Sequence, residues 1–232
     1  MATNNIITHV LVDTESSVIA LIDILQTLPK HSPCLYVDLE GVRLSRLGRI
    51  SIITVFAQPQ NCVYLVDVHK LQAAAFNTAT ANGTTLKSVF ESPDISKVFF
   101  GLHIQLMENA ARPTYQRRNV NGLDRCIAYD APITPIQRRD WKLAKDKGRQ
   151  LFLPTNNGSY EVFNQRPLSP DIVQYCIIDV QFLPSLRNLY WERLNSIWKA
   201  KVAEETIKRV QESQSPHYQP NAENKKFGPW GY

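Results

Sequence analysis

The sequence predicts a single α/β domain, and three observations lead to this prediction. Stretches with strand spacing alternate with stretches of helical spacing over the first hundred residues. The hydrophobic content of 44% is typical of a globular protein. The length of 232 residues suits one sizeable core, or one core plus a tail, rather than two full domains.

The predicted elements of the N-terminal half begin with a short strand over 9–12 and an amphipathic helix over 18–28, which Pro29 ends. Three strands follow with short connections between them, and connections of this length imply antiparallel neighbours. The predictions for this half are completed by strands over 34–39, 49–57, 62–68 and 97–100 and by helices over 71–76 and 86–90.

The C-terminal half is predicted to be mostly helical from Ile104 onward. Its last long helix begins at Ser169-Pro170-Asp171, where Ser is a natural N-cap, Pro suits the first helical position and Asp meets the helix dipole. This helix is expected to reach residue 183, and a further helix continues toward residue 210. Irregular breaks are predicted at 113, 132–135 and 153–158.

Composition limits the organisation and location of the protein. We expect one domain over 1–212 and a disordered basic tail over 213–232, where the sequence turns polar and proline-rich. No apolar run approaches the ~20 residues that cross a bilayer, and the N-terminus lacks a signal-peptide pattern. The sequence therefore predicts an intracellular protein, in cytoplasm or nucleus, without a membrane partner. The net charge of +5 weakly favours polyanionic partners. Four widely spaced cysteines, with no C-x-x-C pair, are predicted to be buried thiols: Cys34, Cys62, Cys126 and Cys176.

Two acidic residues stand at the end of an apolar strand, Asp38 and Glu40 in the stretch 35–41. Because successive strand residues alternate between faces, both side chains point to the same side. Two carboxylates that converge beside a core repel each other, and a hard divalent cation is the usual compensation. For this pair alone, two strand-end acids facing water remain the simpler interpretation.

A second pair lies on the predicted helix that begins near Ser169. Tyr175 and Asp179 are four residues apart, so they share one helical face. The phenol could hold or polarise a water molecule while Asp179 binds a metal ion. Taken alone, the same spacing also fits an ordinary helix with a half-buried Tyr and a solvated Asp.

Together, the strand-borne D-x-E and the helical Y-x-x-x-D resemble the first and third motifs of the DEDDy branch of 3'-5' exonucleases. The strand patterns over 50–55 and 63–68 agree with this resemblance, which covers roughly 35–194. It implies an α/β fold of the RNase H-like (DnaQ-like exonuclease) type: a mixed sheet flanked by helices, with a mostly helical C-terminal half.

The resemblance also implies a chemistry. The residues that match Asp38, Glu40 and Asp179 hold the metal ion that activates water, Asp38 also bridges to a second ion, and Tyr175 orients the attacking water. The implied cofactor is Mg²⁺ or Mn²⁺ in a two-metal site, and the implied partner is single-stranded RNA or DNA. The implied function is metal-dependent 3'-5' exonuclease action on phosphodiester bonds.

The family's middle acid is missing from this chain. No Asp occurs between Asp94 and Asp124, and only residues 101–103 separate the strand ending near residue 100 from the stretch that resembles the family's next strand. A parallel crossover needs a dozen or more residues, so a segment is missing near 100–104. This predicts a weakened second metal site and impaired catalysis.

Three explanations stay open: an incorrectly assembled or alternatively spliced chain, a degenerate enzyme kept as a nucleic-acid-binding or scaffold protein, and an active enzyme with a substitute ligand. His103 and Glu108 lie nearest to the lost position, although surface residues on a rearranged loop and helix are the simpler interpretation of both. The inactive binding or scaffold protein is therefore the alternative to the exonuclease.

Basic residues form two groups that could line a phosphate-binding groove, and a solvated helix face explains each group equally well. In the second group we assign nucleic-acid binding to Arg138, Arg139 and Lys142. The remaining members of the two groups are Arg112, Arg117, Arg118, Arg125, Lys145, Lys147 and Arg149.

Overall fold

A five-stranded mixed sheet carries the first of the predicted acidic motifs. The computed structural model describes residues 7–30, 32–45, 47–219 and 222–231. In the sheet order β1-β4-β3-β2-β5, β1 is parallel to β4, and β3 is antiparallel to β4. The strands are β1 (Thr8–Val12), β2 (Leu35–Val42), β3 (Arg49–Ala57), β4 (Cys62–Asp67) and β5 (Lys97–Phe99).

Helices separate several of the sheet strands and follow the last one. In chain order they are α1 (Glu15–Gln26), α2 (Val68–Leu71), α3 (Ala74–Asn77), α4 (Leu86–Glu91), α5 (Gln105–Ala111), α6 (Leu123–Tyr129), α7 (Pro135–Phe152), α8 (Pro170–Gln181), α9 (Leu183–Arg193) and α10 (Ser196–Gln214). Among the described residues, none of the helices combines the length and apolarity that crossing a bilayer requires.

The chain divides into two compact units. The first, which we call the sheet unit, consists of residues up to 42, 50–98 and 142–181. The second, the helical unit, consists of 43–49, 99–141 and the residues from 182 onward. The sheet unit holds nearly all of the sheet together with α1 to α4, the C-terminal part of α7, and α8.

Strands β3 and β4 form the centre of the sheet unit's core. Seven consecutive residues of β3 and all six of β4 are buried, as their nearly continuous apolar sequence predicts for strands covered on both faces. Helix α1 adds an apolar stripe of Val18, Leu21, Ile22 and Leu25. A capping box between Thr14 and Ser17 fixes the start of α1, because each side chain accepts a hydrogen bond from the other residue's backbone N–H.

The predicted strands and most of the predicted helices are present, with shifts of a few residues at their ends. Two regions that were predicted as continuous helices are divided in the structure. The helix expected over 71–76 is two single turns on either side of Gln72, whose positive φ of 51° ends the first turn. The helix expected beyond residue 183 breaks at Leu194, and Asn195 caps the new helix α10 through its side chain.

All four cysteines are free and buried, which confirms their predicted state. The disordered tail over 213–232 stays a prediction, and some described residues of this segment make contacts within the helical unit. Within the helical unit, Trp230 packs edge to face on Trp198 at 5.4 Å between ring centroids, and the Gly228 N–H donates to the Arg118 carbonyl at 2.9 Å. The polar composition of the segment hid Trp230, whose side chain is half-buried, whereas Phe227 is 44% exposed.

The chain becomes helical directly after β5. Residues 100–104 form a π-helical turn that leads into α5, so the described chain contains no further strand beyond β5. This agrees with the sequence argument that residues 101–103 are too few for a β-α-β crossover.

An ion pair between Arg166 and Asp67 connects the loop before α8 to the end of β4. Arg166 donates from Nε and one terminal nitrogen to the two carboxylate oxygens of Asp67, whose side chain is 1% exposed. Its other terminal nitrogen donates to the carbonyls of Phe163 and Gln165 at 2.9 and 2.7 Å. A bidentate guanidinium is the group best matched to a buried carboxylate, so this pair holds the approach to α8 against the sheet.

Replacing Arg166 by Met should lower the free energy of unfolding by about 3 kcal/mol or more, because it leaves the Asp67 carboxylate buried without its partner. Urea denaturation followed by circular dichroism measures the change. Lys87→Met is the control, since it breaks an exposed Lys87–Glu91 pair at 4.0 Å and should cost less than about 1 kcal/mol. Equal effects of the two variants would contradict a structural role for the Arg166 pair.

Candidate metal centre

The acidic side chains of β2 and α8 converge in the sheet unit. Asp38, Glu40 and Asp179 each offer a carboxylate oxygen, and these oxygens lie within 4.8 Å of one another. Asp38 and Glu40 share one face of β2 because they are two residues apart, and both are half-buried. Asp179 is buried on α8. The structure thus brings together three predicted site residues that are separated by up to 141 positions in the sequence.

Tyr175 lies one helical turn before Asp179 on α8, and its ring is tightly enclosed. Phe152 contacts the ring edge to face at 5.1 Å between centroids. Gly148 of α7 approaches so closely that a Cβ at this position would lie 2.4 Å from Cδ2 of the Tyr175 ring. The glycine therefore allows α7 to pack directly on the tyrosine, which fixes where the phenol hydroxyl points.

Lys145 of α7 is a component of the site that the sequence interpretation missed. Its ammonium nitrogen donates to both carboxylate oxygens of Asp179, at 2.5 and 2.6 Å, and to the hydroxyl of Tyr175 at 3.0 Å. The same nitrogen lies 4.1 Å from the centroid of the Tyr175 ring. The side chains of Lys145 and Asp179 are only 4% and 6% exposed, so this is a buried ion pair.

A signal for Lys145 was nevertheless present in the sequence. Trp141, Lys145, Gly148 and Phe152 recur at helical spacing along α7, and all four are buried. A lysine on an otherwise apolar or small-residue stripe requires a carboxylate partner, because an unpaired buried ammonium is costly. The sequence interpretation instead grouped Lys145 with the neighbouring basic residues as a candidate phosphate contact.

The electrostatics of the site show an excess of negative charge. Burial, followed by the charge of Asp179, raises the pKa of Asp38 to about 7, and Lys145 only partly opposes this rise. Burial, followed by the charges of Asp38 and Asp179, raises the pKa of Glu40 well above its ordinary value. Burial also raises the pKa of Tyr175, so its phenol stays protonated near neutral pH. One ammonium group does not neutralise this cluster.

The donor set fits a hard divalent cation. Three carboxylates with converging oxygens are typical ligands of Mg²⁺ or Mn²⁺, and the raised pKa values indicate negative charge that a cation would relieve. Asp38, Glu40 and Asp179 are the residues that would hold such an ion. They are also the one group of metal-ligand side chains that converges in this way among the described residues.

The two candidate substitute ligands are engaged within the helical unit. Burial lowers the pKa of His103 to about 4, and its Nδ1 accepts a hydrogen bond from the Phe99 N–H at 3.3 Å. The Glu108 carboxylate pairs with Nε of Arg112 at 2.9 Å and accepts from the Asn121 amide at 2.8 Å. Neither belongs to the group of converging ligands found among the described residues.

The residues predicted to bind nucleic acid lie on α7, and local partners engage each of them. Arg139 is paired with Asp140 at 3.4 Å and Lys142 with Asp146 at 2.5 Å, and these side chains are more than half exposed. A terminal nitrogen of Arg138 donates to the Ala131 carbonyl at 3.3 Å. The assignment of nucleic-acid binding to these three residues stays a prediction.

The other basic group surrounds a polar cavity in the helical unit. Arg112, Arg118 and Arg125 line this cavity of about 540 Å³ together with the exposed ring of Tyr115. Arg117 instead stacks on Trp198, with its guanidinium carbon 4.0 Å from the ring centroid. Three of the four arginines of this group therefore face one polar surface.

No family model and no curated protein sequence matches the chain, whereas several solved structures match it. Trypanosoma brucei RNase D in complex with GMP is 18% identical with a TM-score of 0.65, and the match covers 88% of this chain and 63% of RNase D. The same RNase D has been solved with RNA U12, with a TM-score of 0.61. Escherichia coli RNase D, an exoribonuclease involved in structured RNA processing, is 15% identical with a TM-score of 0.57, over 87% of this chain and 50% of that protein.

The catalytic core of RRP6 from Trypanosoma brucei is 17% identical with a TM-score of 0.57, over 89% of this chain and 53% of that chain. The chain thus spans between half and two thirds of the length of these three solved chains: T. brucei RNase D in the GMP complex, E. coli RNase D and the RRP6 core. The matched structures have a mixed sheet with flanking helices, as predicted for this sequence. This chain has the fold of the solved RNase D and RRP6 structures, as the resemblance to DEDDy 3'-5' exonucleases implied.

Proposed function

We propose that the chain is a metal-dependent 3'-5' exonuclease-like protein that hydrolyses phosphodiester bonds of single-stranded nucleic acid. The observation that carries the proposal is the convergence of Asp38, Glu40 and Asp179 beside the phenol of Tyr175. Converging carboxylates with unneutralised charge suit a divalent cation better than any other ligand class. The likeness to RNase D and RRP6 supports the exonuclease class but fixes only the fold.

The chain's own residues take distinct roles in this proposal. The three carboxylates hold the ion, which when bound supplies an activated water and neutralises charge on the phosphate. The Tyr175 phenol is protonated near neutral pH, so it acts as a hydrogen-bonding group that orients water and not as a base. The enclosure of its ring by Phe152 and Gly148 keeps that hydroxyl in place.

RNA is the substrate to test first. E. coli RNase D is described as an exoribonuclease, and T. brucei RNase D has been solved with RNA U12 and with GMP. Single-stranded DNA of the same sequence is the comparison, because discrimination requires contacts to the 2'-hydroxyl. Arg118, Arg125 and Tyr115 are exposed around the polar cavity of the helical unit and offer phosphate-binding and base-stacking groups for either polymer.

A non-catalytic nucleic-acid-binding protein is the second candidate. Two observations favour it: the site has three acids where the exonuclease motifs imply four, and the ammonium of Lys145 is already paired with one of them. Under this alternative the chain binds single-stranded RNA without shortening it. Binding would then be the same with and without a divalent ion.

Replacing Asp38 by Ala should reduce the shortening of 5'-labelled single-stranded RNA to the level of a protein-free control, because it removes a metal ligand. The measurement is gel analysis of the RNA after incubation with excess Mn²⁺, in parallel with single-stranded DNA. Asp171→Ala is the control, since Asp171 is an exposed acid on the same helix as Asp179 and should have no effect.

Removal of Asp38 relieves charge repulsion, so the variant should stay folded by circular dichroism. Shortening by Asp38→Ala at the wild-type rate would refute the proposed site. The second candidate would be favoured if the folded wild type and its variants all leave the RNA at full length and wild type binds RNA equally well with and without metal.

The stability of the metal-free protein should depend on pH through Asp38. The folded chain keeps a proton on Asp38 up to its pKa of about 7, whereas the unfolded chain releases it near the ordinary pKa of 3.8. Between pH 3.8 and about pH 7, the chain therefore takes up a proton when it folds. The stabilisation that this proton provides is fully present below pH 3.8 and is lost as the pH rises through about 7. The urea midpoint of unfolding, measured in EDTA, should decrease from pH 5 to pH 8 in both proteins, and the decrease should be smaller for Asp38→Asn than for wild type. An identical fall would contradict the raised pKa.

Gly148→Ala should displace the Tyr175 ring and lower the free energy of unfolding by about 1 to 3 kcal/mol, because its Cβ would lie 2.4 Å from that ring. If the phenol orients water, RNA shortening should fall as well. Urea denaturation and the gel measurement report the two effects. Gly101→Ala is the control, since a Cβ there meets no atom within 4 Å. Wild-type behaviour of Gly148→Ala would contradict close positioning of Tyr175.

A further inference from the structure

The ammonium group of Lys145 lies where a cation is expected in the acidic cluster. It approaches both oxygens of Asp179 side-on, and it also reaches the Tyr175 hydroxyl. A metal ion that Asp179 helped to hold would need at least one of these two oxygens. The remaining members of the cluster, Asp38 and Glu40, are half-buried, and no lysine or arginine pairs with them in the described part of the chain.

Two cations cannot occupy the same side of one carboxylate without strong repulsion. The repulsion between two like charges grows as their distance and the local dielectric constant fall, and a divalent ion doubles the repulsion that a monovalent ion would exert. The Lys145–Asp179 pair is shielded from solvent, so salt and water weaken this repulsion little. The ammonium and the ion are therefore alternatives at Asp179.

We propose that Lys145 is a built-in competitor for the metal site, whose ammonium occupies Asp179 and must leave it before a divalent ion binds all three carboxylates. The proposal rests on the proposed function, because it takes the three acids to be the metal ligands. It adds a regulatory property: the affinity for metal is set by the energy of an internal ion pair as well as by the ligands. Metal binding is then coupled to a movement of the Lys145 side chain on α7.

The first test compares Mn²⁺ binding by wild type, Lys145→Met and Lys142→Met at one fixed pH, with free Mn²⁺ measured by electron paramagnetic resonance. Lys145→Met removes the competing charge and keeps an apolar side chain of similar length, so it should bind Mn²⁺ about tenfold more tightly or better. Lys142→Met is matched to it, because Lys142 is an exposed lysine of the same helix that is paired with Asp146. This control should bind Mn²⁺ like wild type.

Thermal unfolding gives a second readout of the same variants. Without metal, Lys145→Met should melt below wild type because Asp179 loses its partner, and saturating Mn²⁺ should raise its melting temperature more than that of wild type. If Lys145→Met does not fold, Lys145→Gln, which keeps a hydrogen-bond donor toward Asp179 without the charge, takes its place. Equal or weaker Mn²⁺ binding by the folded variant would overturn the competition and assign Lys145 a supporting role.

Wild-type protein offers a test that is independent of any variant. Lysine acetylation by a water-soluble reagent, quantified by mass spectrometry, should be slow at Lys145 without metal because the group is buried and paired. Mn²⁺ should accelerate labelling of Lys145 and leave Lys142 unchanged. An unchanged rate at Lys145 despite measurable Mn²⁺ binding would overturn the competition alone. Absence of Mn²⁺ binding in both wild type and the Lys145 variant would instead overturn the metal site, and with it the proposed function.

Discussion

The repulsion among three carboxylates of β2 and α8 is the constraint on which the rest of the site depends. Asp38, Glu40 and Asp179 are brought within 4.8 Å of one another by a strand and a helix that are distant in sequence. Burial, followed by the charge of Asp179, raises the pKa of Asp38 to about 7. Every cation near them, whether an internal ammonium or a metal ion, is therefore favourable, and its identity determines what the site can do.

Helix packing maintains this unfavourable arrangement. Gly148 lets α7 lie directly on Tyr175, and the same face of α7 delivers Lys145 to Asp179. Arg166 holds the chain before α8 to the buried Asp67 at the end of β4. Core packing and the Arg166–Asp67 ion pair thus oppose the repulsion among the clustered charges.

The sequence revealed those parts of the site that follow from local periodicity. Two-residue spacing placed Asp38 and Glu40 on one face of a strand, and four-residue spacing placed Tyr175 beside Asp179. Lys145 was missed because a basic residue among Lys142, Lys147 and Arg149 is usually solvated, and only the buried stripe of α7 distinguishes it. The contact of Trp230 with Trp198 was missed for a similar reason, since the average polarity of the segment concealed an aromatic residue.

The missing middle acid and the ammonium of Lys145 act on metal affinity in the same direction. With three carboxylates, fewer ligands share the cost of dehydrating a small hard cation, and opening the Lys145–Asp179 pair adds to that cost. A fourth carboxylate would have raised the negative charge around the ion and shifted the competition toward the metal. In the proposed metal site, the lack of a fourth acid therefore matters at more than one ligand position, because an internal cation also competes at Asp179. Under the two proposals, turnover and simple binding are then separated by the concentration of divalent ion needed to displace one lysine.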